Sequence, residues 1–137
     1  MKIRLYLWFI IIISGLAYLL NRHFIRPLVM EDSISGTLIV IINSLPNFVE
    51  AIVGTVLLTG MLFSLREHSN LAIFKIEDSK LFLAVFIIAL IYSFLQELNW
   101  FNHRIDNVVD PFDFIASLTG LIIMNRLLNQ FCFVKNN

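Results

Sequence analysis

Four long apolar runs, separated by polar segments, dominate the pattern of this chain. The runs cover about residues 5–20, 46–65, 80–96 and 112–131. They are continuous blocks rather than alternations of apolar and polar positions, and each is close to the length that a helix needs to cross a bilayer. The pattern therefore predicts an all-α membrane protein with four transmembrane helices.

The first apolar run has features of both a signal peptide and a membrane span. It follows Lys2 and Arg4 and stops at Asn21-Arg22. The run is long for a signal core, and no small-x-small cleavage site follows it. We therefore interpret it as an uncleaved first transmembrane helix that ends before a polar segment, residues 22–35.

The second span has two possible starts. Residues 36–42 are apolar but too few to cross a membrane, and they lead into Asn43-Ser44-Leu45-Pro46-Asn47, a sequence typical of a helix start. One interpretation begins the span at Pro46 and makes residues 36–42 a short interfacial or re-entrant segment. The alternative is a single kinked helix from Thr37 onward.

The composition agrees with one integral membrane domain over residues 1–137. The chain is 58% hydrophobic and 15% charged, and its formal net charge of zero argues against nucleic acid as a partner. The single cysteine, Cys132, excludes an internal disulfide. The three histidines have no zinc-ligand spacing, and nucleotide-binding glycine patterns are absent, so we expect no metal and no other cofactor.

The stretch 95–120 joins the third and fourth spans and carries the densest set of polar residues. In it, Asp113, Ser117 and Gly120 share one helical face at spacings of four and three. Asp110 precedes Pro111, so the acid can cap the fourth helix and the proline can occupy its first turn. An acid such as Asp113 at the mouth of a membrane helix is costly and is usually paired or functional.

A second acid, Glu50, lies one turn inside the second span, with Asn47 and Gly54 on the same face. Together with Glu97, Asp110 and Asp113 it would lie near the outer interface. Three arrangements can hold these acids: an ion pair with Arg104, a hard cation such as Ca²⁺ or Mg²⁺, or a cationic ligand group. The structural alternative is that Asp110 caps a helix and Glu97 pairs with Arg104. The candidate ligand-binding residues are Asn47, Glu50, Glu97, Arg104, Asp113 and Ser117.

Small residues on the spans predict close helix packing. Ser117 and Gly120 are expected to lie against a neighbouring helix, because small side chains let helix backbones approach each other in a membrane. Gly54 and Gly60 of the second span are expected to do the same.

Three short elements resemble the VanZ-like family of small bacterial membrane proteins. Asp113-Phe114-Ile115-Ala116-Ser117-Leu118-Thr119-Gly120 fits that family's Asp-x-x-Ala-Asn-x-x-Gly helix opening, with Ser117 in the place of asparagine. Glu97 matches its helix-ending glutamate, although Trp100 stands where a glutamine is expected, and Arg104 matches its loop arginine. Leu45-Pro46-Asn47 followed by Glu50 resembles an earlier Leu-Pro-Asp element with a histidine one turn on, with two replacements.

The resemblance implies a multi-pass protein of the bacterial inner membrane. The family's namesake lowers susceptibility to teicoplanin, a lipoglycopeptide that acts outside the membrane. Our leading hypothesis is a non-catalytic envelope protein whose outer polar cluster binds an amphiphilic or lipid-linked ligand. An intramembrane enzyme acting on a lipid or cell-wall precursor is the alternative, and a structural subunit is a third. Membrane lipids are the expected partners, with an envelope lipid, a lipoglycopeptide or other membrane proteins left open.

The charge distribution predicts that both termini are cytoplasmic. With the N terminus inside, four spans leave seven of the ten basic residues on inner segments and seven of the ten acids outside. The positive-inside rule favours this orientation. A fusion of alkaline phosphatase to Asn137 should therefore be inactive, and a fusion of a cytoplasmic reporter at the same position should be active. The reverse pair of activities would overturn the orientation.

Overall fold

The computed structural model describes residues 2–31, 36–68, 77–97 and 111–133, whose secondary structure is helical almost throughout. The helices are α1, Lys2–Leu20; a π-helical turn, Asn21–Ile25; α2, Arg26–Glu31; α3, Gly36–His68; α4, Asp78–Glu97; and α5, Pro111–Phe133. Within these ranges, four stretches are long and apolar enough to cross a membrane: Tyr6–Val29, Gly36–His68, Asp78–Gln96 and Pro111–Gln130. The predicted all-α membrane protein with four spans is confirmed.

Successive spans run in opposite directions. Arg66 near the end of α3 forms an ion pair with Asp78 at the start of α4. Gln96 near the end of α4 reaches back to Glu50 in the first half of α3. We call the end of the bundle that contains Arg66 and Asp78 the terminal end, because Leu7, near the N-terminal end of α1, packs close to it. The opposite end, which contains Glu50 and Gln96, is the distal end.

Apolar side chains from all four spans meet in the interior. One buried cluster contains Leu7, Val56, Leu81, Phe82, Val85, Met124 and Leu128, and a smaller one contains Ala51, Ala89 and Leu121. The rings of Phe63 and Phe82 add an edge-to-face contact with centroids 5.9 Å apart. Large apolar side chains also cover the outer surface, which suits helices that are surrounded by acyl chains. They include Trp8, Ile12, Leu57, Met61, Ile88 and Ile115.

Buried hydroxyls in the middle of α3 are satisfied within the helix itself. The Oγ1 atoms of Thr55 and Thr59 donate to the carbonyls of Ala51 and Thr55, each at 2.7 Å. Both threonines are almost fully buried. This back-bonding to the preceding turn lets a polar side chain lie in an apolar core without a partner on another helix.

The first span does not end where the sequence predicted. Leu20 was expected to be its last residue, but the chain stays helical to Glu31, with a π-helical turn closed by the Arg26 N–H on the Asn21 carbonyl. The prediction was wrong because Asn21, taken as a polar stop, is only 2% exposed. Arg22 remains at the surface and donates to the Tyr18 hydroxyl at 3.2 Å.

The second span is a single helix, so the structure decides between the two predicted starts. Residues 36–42 belong to α3 and do not form a separate interfacial or re-entrant segment. With 33 residues, α3 is about 50 Å long, which exceeds the hydrocarbon core of about 30 Å. The helix therefore extends past that core or crosses it at a tilt.

The side chain of Asn21 explains how Pro46 is accommodated inside α3. Proline has no N–H, so the carbonyl four residues earlier, that of Ile42, loses its helical donor. The Asn21 Nδ2 atom donates to this Ile42 oxygen at 3.0 Å. A side chain on a neighbouring helix is one of the ways in which a carbonyl freed by proline is satisfied in a membrane.

Substitutions at Asn21 and Pro46 should therefore depend on each other. Asn21→Ala leaves the Ile42 carbonyl without a donor, and we expect a loss of about 1–2 kcal/mol in the free energy of unfolding. In a Pro46→Ala background the backbone N–H gained at position 46 satisfies that carbonyl, so Asn21→Ala should cost clearly less there. The four proteins can be compared by denaturant unfolding in detergent micelles as a double-mutant cycle. Equal costs in both backgrounds would contradict the coupling.

Candidate functional site

The distal half of α3 carries a row of polar side chains that we call the distal polar row: Asn43, Ser44, Asn47 and Glu50. Asn43, Asn47 and Glu50 follow one another at spacings of four and three, so they lie along one side of the helix. Ser44 is buried on the adjacent side. The row begins just after the Ile42 carbonyl that Asn21 binds.

Glu50 contacts α4 within the part of the chain that is described. The Gln96 Nε2 atom lies 3.4 Å from one carboxylate oxygen of Glu50 and 3.5 Å from the other. The Glu50 side chain is exposed. These distances are long for a hydrogen bond, so the amide contacts the carboxylate without enclosing it, and the carboxylate stays open to further donors.

Gln96 is a member of the site that the sequence analysis did not list. The candidate at this position was Glu97, its charged neighbour. The antiparallel order of the spans contained the signal, because the end of the third span must lie beside the start of the second. Within the described residues, the amide of Gln96 in the last turn of α4 meets Glu50.

Ser117 joins α5 to the same row. Its Oγ atom donates to the Asn47 carbonyl at 3.5 Å, and the serine is 6% exposed. The contact is made to the backbone of Asn47, so the described contact leaves the Asn47 amide uninvolved. Ser117 thus acts first as a packing residue between α5 and α3, while Asn47 adds a polar side chain to the row.

Close approach of α5 to α3 comes from Gly120. A Cβ atom at this position would lie 2.8 Å from the Phe48 carbonyl oxygen and 3.3 Å from the Ala51 Cβ. Only glycine allows the two backbones to come this close. The predicted packing role of Ser117 and Gly120 is confirmed.

The same prediction was wrong for the other two glycines. A Cβ atom added at Gly54 or Gly60 would have nothing within 4 Å. Neither glycine therefore lies against a neighbouring helix of the described bundle. The sequence pattern of small residues could not distinguish a helix contact from an open surface, because both tolerate glycine.

Two buried polar atoms of the distal polar row lack a hydrogen-bond partner among the described residues. They are Asn43 Oδ1 and Ser44 Oγ. Ser44 is 5% exposed. A buried polar atom without a partner is costly, and the sequence analysis treated both residues only as helix-start signals.

Asp113 lies in the first turn of α5 and is half-buried. It precedes Ser117 by one helical turn, so it lies on the α5 side that faces α3. At this position it lies near the unpaired N–H groups of the first turn of α5.

The remaining predicted residues are not placed. Arg104 and Asp110 lie outside the described residues, and so does the side chain of Glu97, the last residue of α4. Among the side chains that are described, no three from His, Cys, Asp and Glu converge in a way that would hold a metal ion.

Comparison with known proteins finds no match for this chain. No protein-family model, curated protein or solved structure matches the chain.

Alanine substitutions at two glycines should separate helix contact from open surface. Gly120→Ala places a methyl group against the Phe48 carbonyl, and overpacking of this kind costs about 1–3 kcal/mol in the free energy of unfolding. Gly54→Ala is the matched control, since its methyl group meets nothing and alanine is the better helix former. Thermal denaturation in the same detergent should rank Gly120→Ala below wild type and Gly54→Ala at or above it. The opposite ranking would contradict the close approach of α5 to α3.

Proposed function

We propose that this chain is a non-catalytic protein of the bacterial cell envelope whose distal polar row, with Gln96, Asp113 and Ser117, binds an amphiphilic or lipid-linked ligand. The observation that carries this proposal is the convergence of polar groups from three spans on one side of α3. Glu50 meets Gln96 of α4, and Asn47 meets Ser117 of α5.

The chemistry of these groups favours binding. Glu50 is exposed and only loosely held by the Gln96 amide, so its carboxylate can accept hydrogen bonds from a ligand. Asn43 Oδ1, an acceptor, and Ser44 Oγ, which can donate or accept, are buried without partners among the described residues. An exposed carboxylate such as that of Glu50 suits a ligand that offers N–H and O–H donors or a cationic group. Sugar hydroxyls and amines, as in a lipoglycopeptide or a glycolipid, are donors of this kind.

The position of the row suits a ligand with an apolar tail. It lies in the distal half of a membrane helix whose outward surface is rich in exposed apolar side chains, including Leu38 and Ile41 one turn or so before it. A ligand held by its polar part at Glu50 can therefore lay its apolar part along the same helix. This combination of a polar head site and an apolar flank is what an amphiphile requires.

The likeness to the VanZ-like family extends this proposal. We place the chain in the bacterial inner membrane with both termini in the cytoplasm, which turns the distal end to the exterior. A ligand that acts outside the membrane, such as a lipoglycopeptide antibiotic, would then have direct access. Lowered susceptibility to such an antibiotic is the cellular role we propose.

The matched acids Asp113 and Asp110 test the proposal. Asp113→Asn removes a charge on the α5 side that faces the distal polar row, whereas Asp110→Asn retains a helix-capping side chain. In a bacterium that depends on this protein for tolerance of a lipoglycopeptide, we expect Asp113→Asn to lose most of the tolerance. Asp110→Asn should change it little, because asparagine caps helices about as well as aspartate. Quantitative immunoblots of membrane fractions serve as the control for protein level.

Direct binding distinguishes a ligand site from an indirect effect. Purified protein in nanodiscs would be titrated with a fluorescent lipoglycopeptide, using wild type, Glu50→Gln and Asp113→Asn. Weakened binding by both variants, at unchanged helical content, is the expected result. Equal binding by all three proteins, or equal tolerance from the two aspartate variants in cells, would overturn the proposal.

A further inference from the structure

A cleft opens between α1 and α3 at the terminal end of the bundle, away from the distal polar row. Its volume is about 800 Å³. Most of its wall is apolar, and its polar side chains lie at one end, among them Arg66, His68 and Asp78. A cavity of several hundred Å³ with an apolar wall and a few grouped polar residues is typical of a small-molecule site.

The mouth of the cleft faces the surroundings of the membrane helices. Trp8, Leu57 and Met61 line it and are 65%, 59% and 60% exposed, while Leu7 and Val56 at its base are 7% and 2% exposed. These residues lie within the candidate spans. The surface around the mouth is therefore in contact with acyl chains, and a molecule can enter sideways from the bilayer.

The polar end of the cleft is preorganised by an ion pair. Arg66 is bound to Asp78, which fixes the guanidinium between α3 and α4. The two side chains remain 32% and 39% exposed, so the pair is not sealed. Guanidinium has five N–H donors, and a single carboxylate leaves some of them for a second acceptor. Phosphate is the acceptor that arginine binds with the best geometry.

The charges at this end favour a headgroup that carries both signs. One guanidinium and two carboxylates, those of Glu67 and Asp78, line the cleft there. A phosphate group matches Arg66, and an ammonium group on the same molecule matches the carboxylates. A purely anionic headgroup would satisfy the arginine but would meet two like charges.

We propose that this cleft binds a zwitterionic phospholipid of the ethanolamine type. One acyl chain lies against the apolar wall between α1 and α3, the phosphate accepts hydrogen bonds from Arg66, and the ammonium group lies toward Glu67 and Asp78. The lipid enters from the bilayer and holds the ends of α1, α3 and α4 together. This site is separate from the distal polar row, so its test does not depend on the proposed function.

Gly60 provides a way to fill the cleft. It lines the cavity, and a Cβ atom there would have nothing within 4 Å, so a leucine side chain at this position starts from open space. Gly54 is the matched control, since it also has open space around it but does not line the cavity. Gly60→Leu and Gly54→Leu therefore add the same side chain to the same helix at two different places.

Native mass spectrometry of the full chain in detergent, titrated with phosphatidylethanolamine or phosphatidylglycerol, tests the proposal. We expect wild type and Gly54→Leu to retain one phosphatidylethanolamine in preference to phosphatidylglycerol. Gly60→Leu should bind it about tenfold more weakly, and Arg66→Gln should bind both lipids more weakly while keeping the preference for phosphatidylethanolamine, because the carboxylates that meet the ammonium group remain. Equal retention by Gly60→Leu and Gly54→Leu would overturn the proposal. So would a preference of wild type for phosphatidylglycerol.

A second measurement uses the unmodified protein and covers the case in which a variant fails to fold. Wild type reconstituted with phosphatidylethanolamine that carries a photoreactive acyl chain would be irradiated, digested and mapped. Crosslinks concentrated on the α1 and α3 peptides that contain Trp8 and Met61 support the cleft as the site. Crosslinks spread evenly over all four spans indicate bulk lipid only and overturn the proposal.

Discussion

The contact between the Asn21 amide and the Ile42 carbonyl is the interaction on which the arrangement of the first two spans depends. A membrane offers no water to a carbonyl that proline has deprived of its helical donor. Here the donor comes from another helix: the Asn21 side chain supplies it and is almost fully buried. The contact fixes the two helices at one point along their length, and the apolar cluster around Leu7 and Val56 fixes them at another.

The other two spans, α4 and α5, pack against this pair of helices. While Asn21 of the first span contacts one part of α3, other parts of the α3 surface face α4 and α5. Gly120 lets α5 approach the backbone of Phe48, and this closeness brings Ser117 to the Asn47 carbonyl. Ser117 thus contacts the backbone of α3, while Gln96 contacts the Glu50 side chain, which stays exposed.

The lengths of the apolar runs were enough to predict four spans, because the length of a run depends only on residues that are neighbours in the sequence. The third and fourth helices begin and end within a few residues of their predicted limits. The errors fall at Asn21 and Pro46, which are helix-stop and helix-start signals when each is judged from its neighbours alone. In the folded chain each residue compensates for the other across a separation of more than twenty positions. No local pattern contains that pairing.

The candidate site was predictable to a similar degree. The acids Glu50 and Asp113 drew attention because charge in a membrane helix is rare, whereas the neutral Gln96, Asn43 and Ser44 did not. Their importance depends on burial and on the neighbour that each one faces, and both are properties of the packed bundle. The glycines show the same limit. Both Gly120 and Gly54 were expected to lie against a neighbouring helix because they are small, but Gly120 lies against a backbone and Gly54 has open space around it.

The bond between Asn21 and Ile42 also affects which part of the bundle can form while the chain is still being synthesised. Both partners lie in the first two spans, so their polar groups can be satisfied as soon as α3 has left the ribosome and entered the membrane. The N-terminal helical hairpin can therefore persist in lipid while the remaining chain is still being synthesised. The last span then packs against this hairpin, and Gly120 lets its backbone approach the backbone of α3 closely.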